Sequence, residues 1–273
     1  MIHHNGDIDI YYETHGAVDD SARDWIVFAH SLACSCSMWR GQIDNFAVRY
    51  RVLVFDTRGH GRSSAPGPGL NGAHYSFDDL VDDTDSLLTA LSIRNPHFVG
   101  LSMGGMLAQA FVLKHPGKLR SLTIADSVSE WPPETADLFA GRVEQARKGG
   151  MQAVVEGSLG RWFTPPFRKS NPAEVAAIAR VIEETPIDGY AGCCYSIPRI
   201  NFTTQLKQVA APILVMVGRE DPATTLAMSQ QIHAAAPGSS LAVIDRAAHL
   251  SNIEQPAAFN AAIHKFFDER FSD

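Results

Sequence analysis

In "HFVGLSMGGM", residues 97 to 106, Ser102 lies between Gly100 and Gly104 directly after an apolar run. A serine hydroxyl is a weak nucleophile at neutral pH. It can carry acyl-transfer chemistry only beside a base, itself oriented by a carboxylate. Both partners occur downstream at the ends of apolar runs: Asp221 in "ILVMVGREDPA" and His249 in "LAVIDRAAHLSN". Ser102 is therefore the expected nucleophile, His249 the general base and Asp221 the acid that holds the imidazole. Asp126 also ends an apolar run and is the rival for the acid. Among the 11 histidines, His30 is expected to shape a loop. His60, in "DTRGHGRSS", is expected to brace a turn with Asp56 and Arg58, with Gly59 and Gly61 structural.

A serine nucleophile also needs two main-chain N–H groups aimed at the developing oxyanion. Met103, directly after Ser102, is expected to supply one. Leu32, in the loop after "IVFAHS", is expected to supply the other, with Ala33 as its fallback. Cys34 and Cys36 lie nearby in "ACSCS", but no elbow surrounds them, and they read as small loop and helix-start residues.

These side chains need elements that hold them. A glycine-ringed serine between a strand and a helix fits a strained turn on which the hydroxyl stands clear of the backbone. A serine N-cap with packing glycines would look the same locally; the downstream Asp and His distinguish the two. The start reads as a hairpin, "IHH" and "DIDIYYETHG" joined at Asn5-Gly6. Then "DWIVFAHS", "YRVLVFDTRG", "PHFVGLS", "LRSLTIADS", "PILVMVGRED" and "SSLAVIDRAAH" alternate with helical patterns. Apolar residues at consecutive positions predict strands buried on both faces of a parallel sheet. The stretch "SFDDLVDDTDSLLTAL" predicts a helix capped by Ser76, with Leu80, Leu87, Leu88 and Leu91 on one stripe. From 130 to 206 no buried strand is predicted, only helical patterns broken by prolines. The expected division is a core of residues 1–129 and 207–273 with a helical cap, 130–206, inserted in it.

Composition narrows the function. With 45% hydrophobic residues, the chain can bury a large core, and its net charge of −7 argues against a nucleic-acid surface. The first residues lack a signal-peptide pattern, and the apolar runs are strand-length, so neither export nor a membrane is expected. Cys34, Cys36, Cys193 and Cys194 are expected as free thiols in the cytoplasm. No zinc-like spacing is present, and no metal is expected. Between Phe139 and Lys169, six basic residues face two acidic ones, a local reversal of sign in an acidic chain. A solvated helix face would explain it. So would an arginine placed to bind a substrate carboxylate, for which Arg142 and Arg161 are the candidates. Trp162, Phe139 and Tyr190 are candidates to line the apolar part of the pocket.

Taken together, these residues resemble the α/β-hydrolase superfamily over essentially the whole chain. The closer resemblance is to 3-oxoadipate enol-lactonases, on "FDTRGHGRS", "GLSMGG", "RWFTPPF", "GYAGCC" and "AAHLSNIEQP". The first two stretches are common across the superfamily; the others are more particular. Two departures stand out. Ser31-Leu32-Ala33-Cys34 replaces the family's Ser-Leu-Gly-Thr, and Phe139 precedes Arg142 where the family tends to carry a Trp. The resemblance implies an α/β-hydrolase fold, a mostly parallel eight-stranded sheet with a helical cap insertion. It implies cofactor-free hydrolysis of a small anionic lactone in aromatic-acid breakdown. A general carboxylesterase, a carbon–carbon hydrolase of ring-cleavage products, or a non-catalytic ligand-binding protein are the other readings. Oligomeric state, including a homo-oligomer, stays open.

Overall fold

A computed structural model describes residues 1–271. The amino-terminal hairpin is β1 (Ile2–Asn5) and β2 (Ile8–His15). Its turn differs from the expected one: Asn5 pairs with Ile8, so Gly6-Asp7 make the turn, with Gly6 at φ +60. The residue without a Cβ takes the left-handed position. The remaining strands are β3 (Trp25–Ala29), β4 (Arg51–Phe55), β5 (His97–Leu101), β6 (Ser121–Ala125), β7 (Ile213–Gly218) and β8 (Ser240–Ile244). They form one eight-stranded sheet in the order β1-β2-β4-β3-β5-β6-β7-β8. Only the β1–β2 and β2–β4 pairings are antiparallel.

Every residue of β3, β5, β6 and β7 is buried, as the consecutive apolar runs require. Alternate residues serve opposite faces: Ile26 and Phe28 pack with Trp39 and Phe46, while Val27 packs with Leu53, Phe98 and Phe111. Helices α1 (Arg40–Phe46), α2 (Phe77–Ala90) and α3 (Met103–Lys114) connect the first core strands. Ser76 caps α2 as expected, in a reciprocal box with Asp79, and Leu80, Leu87 and Leu88 are buried.

Between β6 and β7 come α4 (Thr135–Gly149), α5 (Gln152–Trp162), α6 (Pro165–Ser170), α7 (Pro172–Glu184) and α8 (Ile187–Ser196), with no strand among the described residues. An isolated bridge between Glu130 and Asn201 joins the two ends of this helical stretch. It meets the core at α8, where a Cβ on Gly189 would stand 2.0 Å from the Gly59 carbonyl oxygen. "GYAGCC" therefore carries glycine where two backbones touch. Helices α9 (Leu226–Ala235), α10 (Ser251–Glu254) and α11 (Pro256–Phe271) complete the chain. Among the described residues no helix is long and apolar enough to cross a membrane. All four cysteines are buried free thiols.

Candidate active site

Ser102 sits between β5 and α3 at φ 55 and ψ −115, a conformation costly for a residue with a Cβ. The turn is held from outside. The Ser102 amide donates to the Ala125 carbonyl at 2.9 Å, and its carbonyl accepts from Ser127 Oγ at 2.8 Å. The glycines permit the approach: a Cβ on Gly104 would lie 2.0 Å from the Ala29 oxygen, and one on Gly100 would lie 2.1 Å from the Gly104 oxygen. The amino terminus of α3 thus rises directly behind the hydroxyl, where its dipole favours negative charge.

Asp221 follows β7, and His249 follows β8. Their side chains meet, with His249 Nδ1 2.8 Å from Asp221 Oδ2. Asp221 Oδ1 accepts from the amides of Ala223 and Thr224 at 2.7 and 3.0 Å, and Thr224 Oγ1 donates to Oδ2 at 2.6 Å. Burial opposes the Asp221 charge, but the adjoining His249 and these donors outweigh it and hold the carboxyl below the usual range. An ionised Asp221 fixes the imidazole with Nδ1 protonated, leaving Nε2 as the basic nitrogen. Ser102 and His249 line one cavity of about 310 Å³.

Leu32 lines the same cavity. Among the described residues, no group accepts from the Leu32 or Met103 amides. Ala33 takes φ 55, in the left-handed region that favours glycine, at the position where the resembled family carries glycine. The loop is fixed by His30, whose Nε2 accepts from the Thr57 amide at 3.0 Å while Nδ1 donates to the Ser31 carbonyl at 2.8 Å. Burial pulls the His30 pKa down to about 4, consistent with a neutral ring in that role. His60 braces its turn through the Arg58 carbonyl at 3.2 Å. The Arg58 side chain leaves that turn to pair with Asp83 at 2.5 Å. Asp56 accepts from the Cys36 and Arg62 amides at 2.6 and 2.9 Å.

The basic stretch divides cleanly. Arg168 pairs with Glu156 and Lys148 with Glu144, while Arg147 and Lys169 are exposed. Arg142 and Arg161 instead line the cavity, together with Phe139, Trp162 and Tyr190. Neither arginine is paired with a carboxylate among the described residues. The Arg142 guanidinium lies 4.7 Å from the Phe139 ring centroid, and Arg161 reaches only the Ser158 hydroxyl, at 3.4 Å. Burial, then repulsion from Arg142, pulls the Arg161 pKa below its ordinary value. The Trp162 ring lies roughly parallel to His249, 6.5 Å between centroids.

Some contributors escaped the sequence reading. Thr224 holds the acid, and its signal was present as a hydroxyl just after the Asp-Pro turn. Glu254, inside the quoted "HLSNIEQP", accepts from the Thr164 amide at 2.7 Å and from the amide of Ala248, beside His249. It ties the helical stretch to the histidine loop, as does the Leu250 amide donating to the Trp162 carbonyl at 3.0 Å.

Asp126 makes no hydrogen bond to His249 among the described residues. It takes Gly218 N–H at 2.7 Å and lies 2.5 Å from Ser251 Oγ. Burial, then the charge on Asp221, pushes its carboxyl well above the usual range, against the hydrogen bonds from Ser251 and Gly218; Glu254 adds to the rise. An unfolded Asp titrates near ~3.9. Over the pH range above that value the unfolded chain has lost a proton that the folded one keeps. The carboxyl's stabilising contribution is thus complete below about pH 4 and is lost as pH rises through the folded-state pKa. Asp126→Asn removes that loss with a neutral isostere tolerant of positive φ. Calorimetry is expected to show the variant melting above the parent at pH 8, with the gap closing by pH 4. A gap independent of pH would refute titration at this site.

Comparison with known proteins accords with this arrangement. Residues 24–256 match the family model described as alpha/beta hydrolase fold. The chain is 34% identical over 258 residues to 3-oxoadipate enol-lactonase 2 of Acinetobacter baylyi, spanning 94% of this chain and 92% of that one. A putative carbamate hydrolase RutD of Agrobacterium fabrum is 23% identical over 94% of this chain and 97% of its own. The crystal structure of the enol-lactonase from Burkholderia xenovorans LB400 superposes with a TM-score of 0.91 at 30% identity, covering 98% of this chain and 99% of that one. The chain belongs to the α/β-hydrolase family, and its resemblance to 3-oxoadipate enol-lactonases runs through nearly its whole length.

Proposed function

We propose that the chain is a serine hydrolase of a small carboxylate-bearing lactone, with 3-oxoadipate enol-lactone the first candidate. One observation carries this reading: two arginines with no carboxylate partner among the described residues share a cavity of about 310 Å³ with Ser102 and His249. Two cations facing a small, largely apolar space repel each other, and a bound anion relieves that repulsion. The volume suits a small ligand. The relatives named enol-lactonase support the lactone.

On this reading Ser102 Oγ attacks the ring carbonyl while His249 Nε2 takes its proton and Asp221 holds Nδ1–H. The Leu32 and Met103 amides stabilise the oxyanion. The ring C–O bond breaks, and the departing oxygen takes the proton back from His249 as an enol. His249 then activates water to attack the acyl-serine, and Ser102 is restored as the free acid leaves. Residues 130–206 act as a cap over the core of 1–129 and 207–273, contributing the arginines. No cofactor enters this chemistry. Four buried free thiols support a reducing, cytoplasmic setting.

The test is a substrate panel with purified protein. The enol-lactone is expected to turn over with a far higher kcat/KM than a neutral p-nitrophenyl ester or a ring-cleavage dienone. Preference for the neutral ester would support a general carboxylesterase, and preference for the dienone a carbon–carbon hydrolase. Failure of a fluorophosphonate to label Ser102 would support a ligand-binding protein.

A further inference from the structure

The turn that ends β6 touches all three loops bearing Ser102, Asp221 and His249. Ala125 and Ser127 grip the main chain of Ser102, at 2.9 and 2.8 Å. Between them, Asp126 sends its amide to the Met216 carbonyl at 2.9 Å and one carboxyl oxygen to the Gly218 amide at 2.7 Å. Gly218 ends β7, just before Asp221. The other carboxyl oxygen meets Ser251 Oγ at 2.5 Å, just after His249. Sheet order explains the choice of strand. β6 lies between β5 and β7, so its end adjoins the serine and aspartate loops directly. The histidine loop follows β8, beyond β7, and only a side chain can reach it. Asp126 also takes φ 44, a left-handed conformation retained where the surroundings over-determine it.

We propose that Asp126 is a positioning residue that fixes the Asp221 and His249 loops relative to each other and to the Ser102 turn. The proposal rests on the serine-hydrolase reading. Asp126 acts as a brace through its hydrogen bonds; burial and the neighbouring Asp221 charge hold its carboxyl well above the usual range. It accepts from the Gly218 amide through one oxygen and from Ser251 Oγ through the other. It makes no contact with substrate.

The experiment follows phosphonylation of Ser102 by a fluorophosphonate, which needs the triad but no knowledge of the natural substrate. It also measures kcat and KM on p-nitrophenyl acetate, with circular dichroism reporting the fold. Displacements on the scale of an ångström cost reactive geometry heavily, so Asp126→Ala is expected to slow labelling by about tenfold or more and to lower kcat with KM little changed. Asp126→Asn keeps an acceptor for Gly218 and sets an NH₂ against the Ser251 hydroxyl, which can accept as well as donate, and is expected to restore labelling to within about threefold of the parent. Ser251→Ala removes one arm from outside Asp126 and is expected to fall between them. If the alanine variant fails to fold, Ser251→Ala decides: an unchanged labelling rate overturns the proposal. A folded Asp126→Ala labelling at the parental rate overturns it too. Asp126→Asn as slow as Asp126→Ala would show that an isosteric side chain bridging Gly218 and Ser251 does not hold the loops, which also overturns it. A parent protein that never labels overturns the serine-hydrolase reading itself, a result distinct from any difference among variants.

Discussion

Ser102→Ala is expected to lower kcat by about 10⁵-fold or more, because the attacking atom is removed and only the binding and oxyanion groups remain. The fold should survive. The contacts that hold the strained turn are made by the Ser102 main chain, and its hydroxyl makes no hydrogen bond among the described residues. Asp221→Asn is expected to cost about 10⁴-fold, by inverting the imidazole tautomer. The geometry says why. Oδ1 already accepts two main-chain N–H groups, at 2.7 and 3.0 Å, so the amide oxygen of Asn stays there. Its NH₂ is then left facing His249 Nδ1. That places donor against donor unless the proton moves to Nε2, where it blocks the base. Kinetics on protein quantified by absorbance, with thermal melts for folding, measure both effects. Near-normal activity in Asp221→Asn together with its loss in Asp126→Asn would transfer the acid role to Asp126.

Losing one of the cavity arginines is expected to lower kcat/KM for an acid-bearing lactone by over about a hundredfold. A carboxylate stranded without its partner in a buried site costs about 3 kcal/mol or more. The same change should barely alter turnover of a neutral ester of similar size, since the groups that meet the reacting carbonyl are untouched. The measurement is therefore a ratio, acid-bearing lactone against neutral ester, in the parent, Arg142→Gln and Arg161→Gln. Burial, then repulsion from Arg142, opposes the Arg161 charge, so Arg161→Gln should show the larger change. Removing one cation also relieves the repulsion felt by the other. Neither single variant therefore measures the pair, and the double variant should cost less than the product of the two. A ratio unchanged in both single variants would mean that the arginines do not read charge, and the lactone would then rest on resemblance to relatives alone.

Much of this molecule was legible without coordinates because the signals are local or periodic. Consecutive apolar residues in "WIVFA", "SLTIA" and "ILVMVG" can be satisfied only by burial on both faces, and each became an interior strand. Glycines around Ser102 mark a backbone approach that no side chain fits. Chain order then put Asp221 and His249 after later strands of the same sheet, whose carboxyl ends share an edge. The structure turns the hairpin at Gly6-Asp7, one residue beyond Asn5-Gly6, because both are acceptable turn pairs and register is chosen by the pairing of whole strands.

What the sequence by itself determined is thus the sheet, the helices that cover it and the position of one serine on one turn. Only the tertiary structure decided which side chains face one another. Asp126 and Asp221 both stand at strand ends, and chain order favours Asp221 as the acid with Asp126 as its rival. Packing beside β7 aims the first at Gly218 and Ser251, while the Asp-Pro turn aims the second at His249. Among the six basic residues from 142 to 169, Arg142 and Arg161 are the candidates by sequence, but a solvated helix face explains the run as well. The docking of α4 and α5 puts Arg142 and Arg161 on the cavity, while Arg147 and Lys148 of α4 and Arg168 and Lys169 of α6 lie outside its lining. Side-chain direction depends on how elements dock. Docking sums weak contacts between residues far apart in the chain, which no local pattern records.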